Sequence, residues 1–130
     1  MLAALLLLFP TTSVAVPNEA ATQEEDSFMF GRIAAAMEDA AGGYTKEALR
    51  RFTSINRDLG KREYPARTRW LAHHWYGKAL LDSGDLKSAP AMLETAKSDA
   101  VSLGEADRGK TEELIRQTQK KLSARNLTRK

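Results

Sequence analysis

Two glycines open the same short pattern, and that repetition limits the fold more than any other feature of the chain. Gly43 is followed five residues on by Ala48 and, four further, by Phe52; Gly84 is followed at the same intervals by Ala89 and Leu93. A spacing of four puts the small and the large residue on one helix face. A glycine ahead of them lets one helix end and another begin, because it enters the left-handed backbone region without steric cost. The pattern predicts a helix, a glycine turn and a second helix, occurring twice. Stacked hairpins of this kind build an extended surface for holding another molecule and bring no chemistry of their own.

The flanking residues extend the reading. From Ser27, the apolar residues Phe30, Ile33, Ala34, Met37, Ala40 and Ala41 recur at intervals of three and four, which predicts a helix capped at Asp26 or Ser27 and ended by Gly42-Gly43. Thr45 is placed to cap a second helix with Ala48, Leu49, Phe52, Ile55 and Leu59 on one face and Gly60 as its stop. Pro65 suits the first turn of a third helix, which runs through Trp70, Leu71, Trp75, Leu80 and Leu81 to Ser83-Gly84. Asp85 is expected to cap a fourth helix with Leu86, Ala89, Leu93 and Ala96 on its face, continuing to Val101 and Leu103. Pro90 conflicts with that start, since it falls beyond the first turn unless the regular helix begins nearer Ser88. A last helix spans Thr111 to about Arg125, with Glu112 and Glu113 at its positive end and Lys120, Lys121 and Arg125 at its negative end. No strand alternation occurs, so the expected fold class is all-α, with about five helices in stacked antiparallel hairpins.

Residues 1–15 form an apolar run ending in Ser13-Val14-Ala15, the small residues a signal peptidase reads, and cleavage is expected after Ala15. The apolar part is shorter than the roughly 20 residues a bilayer-spanning helix needs. A periplasmic or secreted location follows. No Lys or Arg precedes the run and Pro10 lies near its end, so retention of the uncleaved segment is the alternative and the one route to a membrane. Residues 16–26, small and acidic with Pro17, read as a flexible leader; 27–125 read as the repeat domain with its capping helix, and 126–130 as a basic tail.

Several chemistries are disfavoured. The chain has no Cys, which removes disulfides, thiolate metal sites and cysteine nucleophiles. His73 and His74 are adjacent and would point about 100° apart on a helix, so they cannot chelate one ion from one face. Serines sit at caps or on polar faces, and neither histidine has an acidic partner at helical spacing apart from Asp82, eight residues after His74. No catalytic set, metal or cofactor is expected. The net charge is +3, and Arg116, Lys120, Lys121, Arg125, Arg129 and Lys130 leave the last stretch basic. That stretch can meet an anionic surface, but no aromatic residue lies among those charges to stack on a base, which disfavours nucleic acid.

In the third and fourth helices, Tyr76-Gly77, Leu80, Gly84, Asp85, Leu86, Ala89, Leu93 and Ala96 resemble the tetratricopeptide repeat over most of its signature. Each type has a physical reason: Gly77 and Ala89 are small where the helices cross, Gly84 makes the turn, and Leu93 and Ala96 pack one helix on the other. The earlier copy, Gly43, Ala48, Phe52 and Ile55, lacks the large residue before its glycine, where Asp39 or Ala40 stands. The glycines lie 41 residues apart, against about 34 in the common repeat, so the chain resembles the longer variant of the family from Ser27 to about Leu103. The resemblance implies a short α-solenoid, ended by a polar capping helix and below the three repeats expected for robust stability, so that it dimerises or is completed by a degenerate helix. It further implies a concave groove lined by the first helix of each hairpin, here Leu71, His74, Trp75, Lys78, Leu81 and Asp82. Such a groove would hold a peptide or partner protein, burying an apolar side chain and pairing a terminal carboxylate with Lys78. Binding of an anionic surface or of nucleic acid through the basic last helix, and self-association as a structural protein, stand as alternatives.

Overall fold

The computed structural model describes residues 18–128. The stretch read as a signal peptide and the last two residues of the basic tail lie outside them. Five helices follow in order: α1 (Gln23–Ala41), α2 (Thr45–Leu59), α3 (Ala66–Asp82), α4 (Ala89–Asp99) and α5 (Glu105–Thr128), with a 3-10 turn, Ala100–Ser102, after α4. The fold is all-α and repeat-like, with no strand among the described residues.

Both repeated glycines are left-handed, with φ of 85° at Gly43 and 86° at Gly84. The N–H of the following residue bonds back to the carbonyl five positions earlier, Tyr44 to Asp39 at 2.8 Å and Asp85 to Leu80 at 2.9 Å. Each glycine N–H bonds three positions back, to Ala40 at 3.2 Å and Leu81 at 3.1 Å. The two turns are therefore the same Schellman closure. Beyond them, Ala48, Phe52, Ile55 and Leu59 on α2 are buried, and so are their counterparts Ala89, Leu93, Ala96 and Ala100.

The first hairpin packs Met29, Ile33 and Ala36 of α1 against that face of α2. The second buries Leu80, Leu81, Leu86, Ala89 and Leu93, and Leu114 of α5 closes the cluster. Between hairpins, the Tyr76 ring stacks on Phe52 with centroids 5.7 Å apart, and its hydroxyl lies 3.1 Å from that of Thr53. At the centre of the second hairpin, a Cβ on Gly77 would sit 2.5 Å from Leu93 Cδ2 and 2.7 Å from its Cγ. α3 and α4 approach as closely as they do because position 77 has no side chain.

Helices α1, α3 and α5 touch in sequence, whereas α2 and α4 do not meet. The first helices thus form a contiguous inner row, and the second helices splay on the outer side.

Several expected boundaries shift. Residues 18–26, expected to be a flexible leader, are tied to the domain: Asn18 Nδ2 donates to the Gly60 carbonyl at 2.7 Å, and backbone bonds join Ala21 N to Glu63 O and Glu63 N to Glu19 O. Thr22 and Glu25 then form a reciprocal capping box, so α1 starts at Gln23 and not near Ser27. Its buried stripe is Met29, Ile33 and Ala36, and Phe30 and Ala34 turn outward. Thr45 is the first helical residue of α2, after Tyr44 at the cap. Asp85 does not cap a helix at Leu86; its Oδ1 accepts from Ser88 N at 3.1 Å, and α4 begins at Ala89, which puts Pro90 in the first turn where its missing N–H costs nothing. The final helix begins at Glu105, six residues before Thr111, and runs on to Thr128, so the tail expected from 126 is helical as far as it is described.

Candidate functional site

On the inner row, α3 is flanked by α1 on one side and α5 on the other, and a depression lies along each seam. The α1 side is lined by Met37, Ala40, Trp75, Lys78, Ala79 and Asp82 and has a volume of about 280 Å³. The α5 side, lined by His74, Trp75, Lys78, Gly109, Lys110 and Leu114, measures about 580 Å³. Trp75 and Lys78 are the wall common to both. Lys78 Nζ stands 2.7 Å from Asp82 Oδ2 and 6.0 Å from the centroid of the Trp75 ring, so the ammonium is held by a carboxylate and an aromatic face together.

His74 occupies the back of the larger depression and is only 5% exposed. Its ring lies 4.8 Å from Trp70 and meets Trp75 edge-on at 5.5 Å. The buried Thr111 hydroxyl reaches over from α5: it accepts from Trp70 Nε1 at 2.9 Å and stands 2.8 Å from His74 Nδ1. Its contact to the Asp107 carbonyl is 3.5 Å, so the shorter approach assigns the hydroxyl proton to Nδ1. The sequence Trp70 N–H, Thr111 O–H, His74 ring therefore ties α3 to α5 behind the groove. Burial first, and then the charges of Lys110 and Lys78, push the His74 pKa from 6.5 down to about 4, against a smaller upward pull from Asp107. The neutral ring is the acceptor this bond requires.

That shift gives a stability prediction. Between pH 6.5 and about 4 the unfolded chain binds a proton that the folded chain does not, so stability falls as pH drops through this window. Discounted for the groove side of the ring, the loss is about 1–2 kcal/mol. Asp58, held at about 2 by hydrogen bonds from Lys61 and Arg32, acts only below its ordinary 3.8. Urea midpoints measured between pH 7 and 4.5 should decline in the parent, and His74→Gln should flatten that slope; equal slopes would assign the effect elsewhere.

Of the six residues expected to line the groove, Trp75, Lys78 and Asp82 do so directly. His74 reaches it from a buried position, with one ring nitrogen already bonded to Thr111. Leu81 does not line it: it is 2% exposed and belongs to the core of the second hairpin. Leu71 is half-buried and packs against the apolar clusters. The middle helix is covered from several sides, which leaves a narrow strip of it open.

Sequence reasoning missed the partner of His73. Asp99 on α4, 26 residues away, lies 2.5 Å from His73 Nδ1 through one oxygen, and its other oxygen accepts from Arg69 Nε at 3.3 Å. Arg69 also donates to Glu63 and to the Tyr64 carbonyl. The cluster clamps α3 to α4 and to the connector before α3. Among the described residues, no group of three or more His, Asp or Glu side chains converges on one point, and no helix is long and apolar enough to cross a membrane. On α5, Arg116 folds back on Glu113 at 2.6 Å.

No family model, curated protein or solved structure matches the chain. The functional reading therefore rests on the geometry and on the residues themselves.

Proposed function

We propose that the protein is a non-enzymatic interaction module of tetratricopeptide-like construction, which holds a peptide segment of a partner protein on the inner row formed by α1, α3 and α5. The observation that carries this reading is the shared wall: Trp75 and Lys78, side by side on the middle helix, border both depressions of that face. A half-buried tryptophan next to a cation is the usual composition of a binding anchor, offering a large apolar contact together with a charge that fixes orientation. The repeated hairpin supports it, because such stacks present surfaces in place of reacting groups. The apolar residues 1–15 supply the compartment, which we take to be the periplasm or the exterior.

A Trp75→Ala, Lys78→Glu double variant tests the assignment. Both side chains reach the surface, so the helical circular-dichroism signal should persist. Crosslinked partner recovered from the native compartment should fall at least about tenfold, as expected when two anchors are removed. Recovery of the same partners at the same yield, from a folded variant, would move the binding surface off this face.

A further inference from the structure

Glycine is a poorer helix former than alanine, yet two glycines stand inside helices around the second hairpin. At Gly77 the crossing with Leu93 requires it. At Gly109, in the first half of α5, no atom lies within 4 Å of the place a Cβ would take, and the residue is not among those with positive φ. Neither packing nor backbone geometry calls for glycine there. What Gly109 borders is the larger depression, whose lining it shares with Trp75 and Leu114, and a Cβ at 109 would meet open space.

We infer that Gly109 determines specificity: its missing side chain keeps the α3–α5 cleft open for one bulky apolar side chain, of the size of Leu or Phe, carried by an acidic peptide segment. This rests on the inner row being the binding face and states what that face takes. The volume of about 580 Å³ falls within the roughly 300–1,000 Å³ of ligand pockets, whereas the 280 Å³ of the α1 side falls below it. The walls for the apolar group are the Trp75 ring and Leu114. The charge follows from how the rim is paired. Glu113 is drawn onto Arg116 at 2.6 Å and Lys78 is matched by Asp82 at 2.7 Å. Asp107 pairs with Arg67 at 3.2 Å and reaches Lys110 only at 4.0 Å. Lys110 is the most loosely compensated charge at the mouth, and a carboxylate next to the apolar anchor complements it.

The test uses the full chain and N-acetylated, C-amidated acidic heptapeptides that differ only in a central Ala, Leu or Phe, titrated by tryptophan fluorescence. The Leu or Phe peptide should bind at least about tenfold more tightly than the Ala peptide, the increment expected for one buried apolar side chain. Gly109→Leu should erase that preference while its thermal midpoint stays level or rises by about 4 °C, because a better helix former has replaced glycine in open space. Equal binding of all three peptides by the parent, or an undiminished preference in Gly109→Leu, overturns the inference. If Gly109→Leu behaves as the parent while the Trp75→Ala, Lys78→Glu variant loses its partner, only the cleft assignment fails; if the double variant keeps its partner, the binding face itself is wrong.

Discussion

Gly77→Ala is expected to destabilise the protein by up to about 2 kcal/mol, although alanine is the better residue for a helix interior. The added methyl would lie 2.5 Å from Leu93 Cδ2 and 2.7 Å from its Cγ, and Leu93 is fully buried, so the leucine has no free direction in which to swing. Overpacking of this kind costs about 1–3 kcal/mol, from which the helical gain of about 1 kcal/mol must be subtracted. Leu93→Ala alone should cost about 2–5 kcal/mol through the cavity it leaves. Combined, the two should cost less than their sum by about 1 kcal/mol or more, because the new methyl enters space the leucine has left. Urea titration of the four proteins closes this cycle. A stabilised Gly77→Ala variant, or strict additivity, would mean that α3 and α4 do not cross this closely in solution.

Thr111→Val should cost about 2–6 kcal/mol, a large effect for a change that preserves shape. Thr111 is fully buried, and its hydroxyl serves Trp70 Nε1 and His74 Nδ1 at once. Removing it leaves two buried polar atoms on α3 without their partner, each worth about 1–3 kcal/mol when orphaned. Thr111→Ser keeps the hydroxyl and should lose only about 1 kcal/mol for the missing methyl. The contrast between Val and Ser separates hydrogen bonding from packing; if chemical denaturation finds both variants equally stable, the hydroxyl has no such role.

These residues also mark what was legible in the sequence. The second helices were readable because Ala48, Phe52, Ile55 and their counterparts on α4 obey one spacing after one kind of turn, and each such helix buries a single face. On the first helix the spacing picks out Ile33, Met37 and Ala40 correctly, but it selects Phe30 in place of Met29 because Phe28, Met29 and Phe30 are all apolar. Met29 is 1% exposed and Phe28 71%, a difference that only the neighbouring α2 decides. The start of α1 was readable in principle: Thr22 and Glu25 have the spacing of a capping box, but the acidic composition around them suggests a loose leader. For the groove, α3 taken alone offers Leu71, His74, Trp75, Lys78, Leu81 and Asp82, an arc wide enough to face several neighbours. Packing by the other four helices withdraws Leu81 entirely and most of Leu71. The Thr111 relay and the His73–Asp99 pair could not be found by helical spacing, since each joins residues on different helices, 37 and 26 positions apart.

The unequal meeting of helices, α1 to α3 to α5 on one side and none between α2 and α4 on the other, has a mechanical corollary. A stack that is sealed along one edge and open along the opposite edge resists bending unevenly. Tilting the hairpins so that α2 and α4 approach spreads the inner face, which parts α1 from α3 and α3 from α5 and costs their contacts. Tilting them the other way presses together helices that already touch. The protein is thus built like a book bound along its inner edge: its free play lies on the side of α2 and α4, and the inner face keeps its width.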